Sequence, residues 1–219
     1  MRHPNVAFVL SLLIAAPAVA GSLRGSVRVP YAPPTEAVFH PYAGRASSLP
    51  APTRTPRGLV TDAVLYLERL PEGVSLPDTS GVHPQLGQRG QAFEPRVVVV
   101  PLGGVVDFPN FDPIFHNVFS VSPARRFDLG KYPRGTSRSV TFRRVGIVNV
   151  FCDIHSDMAA FIVVVPNAAF ARPDAAGAYA IDGLRAGRYQ LHWWHPDFGD
   201  GVATVDVPAE GAATRDVSF

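Results

Sequence analysis

Cysteine is nearly absent from this chain of 219 residues, since Cys152 is the only one. A disulfide within the chain is therefore impossible. A single free thiol is reactive in an oxidising compartment, so it is expected to have a role there. The possible roles are an intermolecular disulfide, a catalytic nucleophile or a metal ligand. Methionine is equally scarce: apart from the initiator Met1, the chain contains only Met158, six residues after Cys152.

The chain also lacks an apolar run long enough to cross a bilayer. The stretch from Val6 to Ala16 is too short, and no later segment offers about 18 uninterrupted apolar residues. Arg2 and His3 precede this stretch, and Ala18-Val19-Ala20 follows it with the small-residue pattern of a signal-peptidase site. We therefore predict a secretory signal peptide over residues 1–20 and a soluble, periplasmic mature protein without a membrane anchor.

A large excess of either charge is missing as well. The chain has 20 Lys and Arg residues against 18 Asp and Glu residues, a net charge of +2. Proteins that bind nucleic acids usually carry a strong basic excess, so nucleic acid is a poor candidate partner.

Sustained helical periodicity is absent, and short apolar or alternating segments predict an all-β, sandwich-like fold. The predicted strands are Leu23 to Val29, Ala63 to Leu67, Arg96 to Val100, Val105 to Phe108, Asn117 to Val121, Ser137 to Phe142, Gly146 to Phe151 and Ala160 to Val165. Pro30 to Pro56 and Ser75 to Gly90 are predicted to be irregular. After Pro166, turn residues and the aromatic strand Tyr189 to Trp194 indicate a second, smaller β unit.

A compact set of metal-binding side chains follows one of these strands. The segment from Cys152 to Met158 contains a thiol, the imidazole of His155 and a thioether within seven residues. His116, which follows the Val105 to Phe108 strand and its turn, supplies a second imidazole. Copper that cycles between Cu(I) and Cu(II) favours two imidazoles, a thiolate and a weak axial thioether. These residues predict one copper ion held by His116, Cys152, His155 and Met158.

The same residues resemble the cupredoxins, the family of small blue-copper proteins with a Greek-key β-sandwich. The resemblance rests on three segments: Gly104 to Phe108, His116-Asn117-Val118, and Cys152-x-x-His155-x-x-Met158. The short ligand loop is similar to that of the amicyanins. The resemblance implies a type 1 copper site in which Asn117 directs its backbone N–H at the Cys152 sulfur and ties the ligand loops together with its side chain.

Two further resemblances concern the rest of the chain. Phe108-Pro109-Asn110, Phe127 to Gly130 and Tyr189 to Pro196 resemble the longer plastocyanin-like proteins of the methylamine utilisation type. Asp174 to Trp194 resembles the carboxypeptidase regulatory-like (transthyretin-like) β-sandwich.

Together with the signal-peptide pattern over 1–20, these resemblances imply a further division into N-terminal strands with a Pro-rich loop over 21–90, a copper domain over 91–166, and a regulatory-like unit over 167–219. Ala63 to Leu67 fits either β unit. If this segment and Gly25-Ser26-Val27 belong to the regulatory-like unit, the copper domain is inserted into that unit.

The predicted function is transfer of single electrons between redox partners, and we expect a monomer that is not an enzyme. A c-type cytochrome or a periplasmic dehydrogenase is the expected partner. The His-Cys-His element typical of multicopper enzymes is missing, because Cys152 lies between Phe151 and Asp153, and a binuclear copper centre would need a second cysteine. The alternative function is a copper carrier or sensor that does not transfer electrons. His192 and His195 are candidates for a second metal site, against the simpler interpretation that this segment is an aromatic core strand.

The residues next to His155 in the sequence indicate where a redox partner would dock. Ile154, Met158 and Ala159 are expected to form an apolar rim around this histidine. A basic run lies between the ligand segments and either steers an acidic partner or is only solvated. Its members are Arg125, Arg126, Lys131, Arg134, Arg138, Arg143 and Arg144.

Overall fold

A computed structural model describes residues 21–30 and 58–219, apart from 73, 75, 77 and 80. The predicted signal peptide and most of the Pro-rich loop lie outside these residues. The described chain contains a short 3-10 helix, Val60–Asp62, and 17 strands. The strands are β1 Gly21–Arg28, β2 Val64–Leu67, β3 Gly87–Arg89, β4 Ala92–Glu94, β5 Val97–Pro101, β6 Val105–Pro109, β7 His116–Ser122, β8 Arg125–Tyr132, β9 Ser137–Thr141, β10 Gly146–Phe151, β11 Ala159–Val165, β12 Phe170–Ala171, β13 Ala178–Leu184, β14 Gly187–His195, β15 Gly199–Val207, β16 Ala212–Thr214 and β17 Val217–Ser218. The all-β prediction is confirmed. No helix in the described part of the chain is long and apolar enough to cross a membrane.

The central part of the chain forms a β-sandwich around an apolar core. Its larger sheet has the strand order β5-β11-β10-β7-β8, with β5 parallel to β11 and the other neighbours antiparallel. The pair β6-β9 and the hairpin β3-β4 lie on the other side of the core. Alternate residues of β7, β10 and β11 point into this core, which also contains Cys152 and Met158. The ligand candidates therefore lie at one end of a packed sandwich.

A second pair of sheets combines the N-terminal strands with the C-terminal ones. One sheet has the order β13-β1-β16, with β17 also paired to β1, and the other has the order β12-β2-β14-β15. Residues from both sheets, including Leu23, Leu65 and Leu191, share one core. The segments before the central sandwich thus pair with segments that follow it. The domain boundaries drawn from the sequence remain predictions.

The two β units meet through one apolar cluster and one buried ion network. β5 is buried on both faces, as its run of valines predicts: Val98 and Val100 face the central core, while Val97 and Val99 pack in a separate cluster with Val64. That cluster includes Trp194, whose ring contacts Phe161 at a centroid distance of 5.4 Å.

The buried ion network centres on Arg96, the residue directly before β5. Its guanidinium forms two hydrogen bonds to Asp197, of 2.6 and 2.7 Å, and a third contact to Asp62 at 3.3 Å. Because Arg96 belongs to the central sandwich and Asp197 to the β14–β15 turn, this network holds the two units together.

Candidate metal centre

Three donor atoms converge at one end of the central sandwich. Nδ1 of His116 lies 3.2 Å from Nδ1 of His155, and the Cys152 sulfur lies 3.8 Å from the same atom of His155. Both distances are below about 4.6 Å, the longest separation that one ion bonded to each atom at about 2.3 Å can bridge. Among the described residues, no other group of three or more His, Cys, Asp or Glu side chains could hold a metal ion.

The β10–β11 hairpin explains why Cys152 and His155 lie together. The strands pair from Gly146↔Val164 to Phe151↔Ala159, so the seven-residue turn that joins them, Cys152 to Met158, begins immediately after the ladder ends. The backbone N–H of Met158 donates to the carbonyl of His155 at 3.1 Å, which closes the loop. The loop is short and internally hydrogen-bonded, so both side chains are held near the neighbouring strand β7.

His116 comes from the first residue of β7, where the strand is irregular. The register between β7 and β8 shifts between Asn117 and Phe119, which marks a bulge. A bulge changes the direction of the side chains next to it. The His116 side chain is fully buried and faces the loop after β10.

Met158 is fully buried and belongs to the same core cluster as Cys152. It is the last residue of the loop and directly precedes β11. The predicted apolar rim needs a correction at this residue, because a buried thioether is unable to contact a partner. Exposed apolar side chains at this end are instead Ile154 and, on the segment before His116, Phe111, Ile114 and Phe115.

Asn117 makes one of the two contacts that the resemblance implies. Its backbone N–H donates to the Cys152 sulfur. Its side-chain amide donates to Asp128 on β8 at 2.7 Å, and the side-chain carbonyl oxygen is buried without a hydrogen-bond partner. The side-chain hydrogen bond therefore braces β7 against β8 and does not run to the Cys152 loop.

Asp112 is a candidate positioning residue that the sequence pattern does not indicate. Its Oδ2 atom lies 2.8 Å from Nε2 of His116 and accepts a hydrogen bond from it when that nitrogen carries the proton. In that tautomer the opposite ring nitrogen, Nδ1, has a free lone pair directed at Cys152 and His155. Partners of this kind fix the orientation of metal-binding histidines.

The Asp112 carboxylate is itself held by the turn between β3 and β4. It accepts hydrogen bonds from the backbone N–H groups of Gly90 at 2.6 Å and Gln91 at 2.8 Å. Both residues adopt positive φ angles, 62° for Gly90 and 58° for Gln91, which places the two N–H groups on the same side. Because Gln91 is not glycine, this conformation carries a cost that the surrounding contacts must offset.

Asn110 shapes the segment that carries Asp112. Its buried side chain donates to the carbonyls of Ile114 and Tyr132, at 2.9 and 3.0 Å, and accepts from the Asp112 backbone N–H at 2.9 Å. This asparagine therefore sets the path of the loop between β6 and β7.

The electrostatics of the site favour a thiolate. Burial alone would raise the pKa of the Cys152 thiol, but hydrogen bonds to the sulfur outweigh burial and lower this pKa to about 6. The donors are the ring of His116 while its Nδ1 carries a proton, the backbone N–H groups of Asn117 and Ile154, and the ring of His155. Burial also opposes the charged form of His116, and its hydrogen bonds to Cys152 and Asp112 nevertheless raise the pKa of this histidine. A thiolate beside two imidazoles matches the donor set that copper favours.

The basic run seen in the sequence is divided between opposite ends of the sandwich. Lys131 and Arg134 lie at the metal-site end, since Lys131 pairs with Asn117 and its ammonium group lies 3.7 Å from the Asp153 carboxylate. Arg125 and Arg126 lie at the other end of β8, about 20 Å away at the rise of a β-strand. Charges at that end are too far from His155 to steer a partner towards it effectively.

His192 and His195 have other partners. His192 stacks on Tyr66, and its ring lies 3.4 Å from the Glu68 carboxylate. His195 contacts the carbonyl of Leu59 at 3.0 Å and accepts from the backbone N–H of Asp197 at 3.1 Å. Neither histidine belongs to a metal-binding group within the described residues.

Comparisons with known proteins give structural similarity only. No protein-family model matches the chain, and no curated protein matches it. Among solved structures, a copper-containing nitrite reductase from Thermus scotoductus SA-01 is similar at 25% identity and a TM-score of 0.38, over 39% of this chain and 23% of that one. A purple cupredoxin from Nitrosopumilus maritimus gives 18% identity and a TM-score of 0.34, over 37% of this chain and 98% of that one. A reduced, Cu(I) amicyanin variant gives 20% identity and 0.36, over 47% of this chain and 98% of that one. The chain thus spans less than a quarter of the nitrite reductase's length.

Proposed function

We propose that this chain is a blue-copper protein that holds one copper ion with His116, Cys152, His155 and Met158 and carries single electrons. The observation that supports this proposal is the convergence of two imidazole nitrogens on the sulfur of the only cysteine. When bound, copper supplies a one-electron couple between Cu(I) and Cu(II). His116, Cys152 and His155 provide the strong donors, and Met158 provides the weak axial thioether.

The rigidity of the site favours electron transfer over the alternative of a copper carrier or sensor. His116 is fixed by Asp112, and the sulfur receives backbone hydrogen bonds from Asn117 and Ile154. Because these contacts hold the donors in place, we expect the donors to keep the same arrangement around Cu(I) and Cu(II). A carrier needs donors that move aside to release the metal, whereas these donors are anchored to β7 and to a closed hairpin loop.

His155 is the proposed point at which the electron enters and leaves. It is the only one of the three convergent donors that is not buried. Ile154 is exposed beside it, and Phe115 is exposed beside His116, so an apolar surface surrounds the partly exposed ring. Short-lived redox encounters use small interfaces, which such a surface can supply.

The decisive experiment combines an absorption spectrum with voltammetry of the copper-loaded protein. An intense visible charge-transfer band from thiolate to Cu(II) is expected, together with a reversible one-electron wave. Zn(II)-loaded protein is the matched control, because zinc fills the same donors without redox chemistry. A blue band with an irreversible wave favours the carrier or sensor, and the absence of the band contradicts the copper site.

The remaining parts of the proposal concern location, partner and domain organisation. We propose export to the periplasm with cleavage after Ala20, a monomeric mature chain, and a redox partner such as a c-type cytochrome or a periplasmic dehydrogenase. The copper domain would span 91–166 and the regulatory-like unit 167–219, the latter completed by β1 and β2 through their pairing with β13 and β14. Amino-terminal sequencing of protein from the periplasmic fraction tests the export proposal, and Gly21 is the expected first residue.

A further inference from the structure

The end of the central sandwich opposite the metal site is built from three adjoining turns. They cover residues 101–104, 122–125 and 142–146. The backbone N–H of Gly103 donates to the carbonyl of Phe142 at 2.7 Å, which joins the first turn to the third. The guanidinium of Arg144 donates to the carbonyl of Pro123 at 3.3 Å, which joins the third turn to the second. The three turns therefore form one continuous surface.

This surface is strongly basic. Four exposed arginines lie in these turns or directly beside them, and none of the three turns contains an acidic residue. The arginines are Arg125, Arg126, Arg143 and Arg144. The chain as a whole carries a net charge of only +2, so positive charge is concentrated here. A concentration of this kind attracts anions over a distance of about one Debye length.

Exposed apolar side chains lie among these arginines. Leu102 and Val145, one in the first turn and one in the third, are 48% and 42% exposed. Val121, which pairs with Arg126 across β7 and β8, is 64% exposed. We call the surface formed by Leu102, Arg125, Arg126, Arg143, Arg144 and Val145 the distal tip. Aliphatic side chains on turns, flanked by arginines, are suited to the boundary between lipid headgroups and acyl chains.

We propose that the distal tip binds the surface of an anionic phospholipid bilayer. The arginines contact lipid phosphates, and Leu102 and Val145 enter the boundary of the acyl region. A bilayer fits these observations better than an acidic protein does, because purely electrostatic steering by an acidic protein leaves the exposed aliphatic side chains without a role. The attachment is peripheral and involves no membrane-spanning segment.

Attachment through the distal tip would leave the metal site accessible. β8 runs from Arg125 at the tip to Tyr132, which pairs with His116, so its length of about 25 Å separates the bilayer from the donors. His155 would then face away from the lipid, towards soluble partners. The inference goes beyond the proposed function and does not depend on copper.

The test is co-sedimentation of the full chain with vesicles of two compositions, phosphatidylcholine alone and equal parts of phosphatidylcholine and phosphatidylglycerol. Arg143→Gln combined with Arg144→Gln removes two charges from the tip. Arg125→Gln combined with Arg126→Gln removes two others without disturbing the Arg144–Pro123 contact. Lys131→Gln combined with Arg134→Gln is the matched control at the opposite end. Circular dichroism establishes that each variant is folded.

Every variant retains the apolar segment from Val6 to Ala16, so any contribution from that segment is common to all of them and also appears with phosphatidylcholine alone. We expect phosphatidylglycerol to add binding beyond that seen with phosphatidylcholine alone, and this added binding should weaken with salt. Each tip pair should lower the partition coefficient about 30-fold, from about fivefold for each arginine lost, and the control pair should have little effect. Leu102→Ser combined with Val145→Ser, which keeps all four arginines, should also weaken vesicle binding relative to the unaltered chain, without changing the dependence of binding on salt.

Three results would overturn the proposal. The first is failure of the unaltered chain to bind the anionic vesicles at low salt. The second is an equal loss of binding in the control pair, which would mean that net charge and not the tip is responsible. The third is tighter binding to polyglutamate than to vesicles, dependent on the same arginines and indifferent to Leu102 and Val145, which would assign the tip to an acidic protein.

Discussion

Oδ2 of Asp112 lies 2.8 Å from Nε2 of His116, and the other nitrogen of the same ring faces the donors His155 and Cys152. One imidazole is thus held between a carboxylate and the candidate metal site. Because Asp112 is anchored by the backbone N–H groups of Gly90 and Gln91, the β3–β4 turn indirectly positions the candidate ligand His116 on β7.

Asp112→Ala should lower copper affinity about 10- to 100-fold, the usual effect of losing the partner of a metal-binding histidine. Competitive titration against a chelator measures this loss. Asp153→Ala is the matched control, since it removes an exposed carboxylate next to Cys152 that contacts only Lys131 among the ion pairs seen. Nitrogen NMR of the metal-free protein provides a second readout: the proton of His116 should reside on Nε2 in the unaltered chain and distribute over both nitrogens in Asp112→Ala. Equal affinities for the two variants would contradict a positioning role.

The importance of Asp112 was not predictable from the sequence, and the reason is physical. An aspartate in a Pro-flanked turn is usual, and the backbone groups that anchor it are 21 and 22 residues away in the chain. The proximity of Cys152 and His155, by contrast, follows from local spacing and a hairpin. β10 was predicted with the bounds that the structure has, because Gly146 to Phe151 is rich in β-branched and aromatic residues.

β8 and the β3–β4 hairpin were missed for related reasons. β8 is an edge strand in which four of eight residues are charged, and only Phe127, Leu129 and Tyr132 pack in or against the core, so its apolar signal is weak. β3 and β4 are only three residues long each. Unless β8 is recognised as a strand, nothing in the residue pattern indicates that Arg125 and Lys131 lie at opposite ends of the central sandwich.

Cys152→Ser should abolish the visible charge-transfer band of the copper-loaded protein, because a hydroxyl is unable to supply the soft thiolate. Copper should still bind, more weakly, through His116 and His155. Ser156→Ala, in the same loop, is the control and should keep the band. Absorption spectroscopy at matched copper content separates the two variants. A band that persists in Cys152→Ser would remove this residue from the site.

Met158→Gln should retain copper and lower the reduction potential, since a harder axial oxygen stabilises Cu(II) relative to Cu(I). Because Met158 is fully buried, the matched control is Met158→Leu, which fills a similar volume without a donor atom and should raise the potential. Voltammetry on both variants measures the direction of each shift. If both variants keep the original potential while remaining folded, the thioether acts only in packing.

Asp197→Asn should destabilise the protein by about 2 kcal/mol at neutral pH, an order of magnitude that follows from the pKa shift of this group. Hydrogen bonds from Arg96 and from the Gly58 backbone N–H outweigh burial and lower the pKa of the Asp197 carboxyl to about 2. A depressed folded pKa adds stability above the unfolded value, and this stability is lost as the pH falls through the folded pKa. The difference between the two proteins should therefore be constant above about pH 4 and shrink towards pH 2.

Urea unfolding at several pH values measures this difference. Asp206→Asn is the control, because its ion pair with Arg188 is largely exposed and contributes little to stability. A difference that grows as the pH falls would have the wrong sign and would contradict the assigned role of Asp197.

Charge near the metal site should control how fast an anionic oxidant reacts with the reduced protein. Hexacyanoferrate(III) is a suitable probe, because Lys131 and Arg134 lie at the end that carries His155, whereas Arg125 and Arg126 lie about 20 Å away, beyond the Debye length of about 10 Å at moderate salt. Lys131→Glu combined with Arg134→Glu should slow the second-order rate about tenfold at an ionic strength of about 0.1 M, where the Debye length is about 10 Å. Arg125→Glu combined with Arg126→Glu changes the total charge by the same amount and should leave the rate nearly unchanged. Stopped-flow absorption measures these rates. Increasing ionic strength should bring all three proteins to a common rate, because salt screens the steering field.

Equal slowing in both variants would show that net charge matters and position does not. Rates that ignore both salt and charge reversal would leave the apolar surface around His155 as the only remaining determinant of docking.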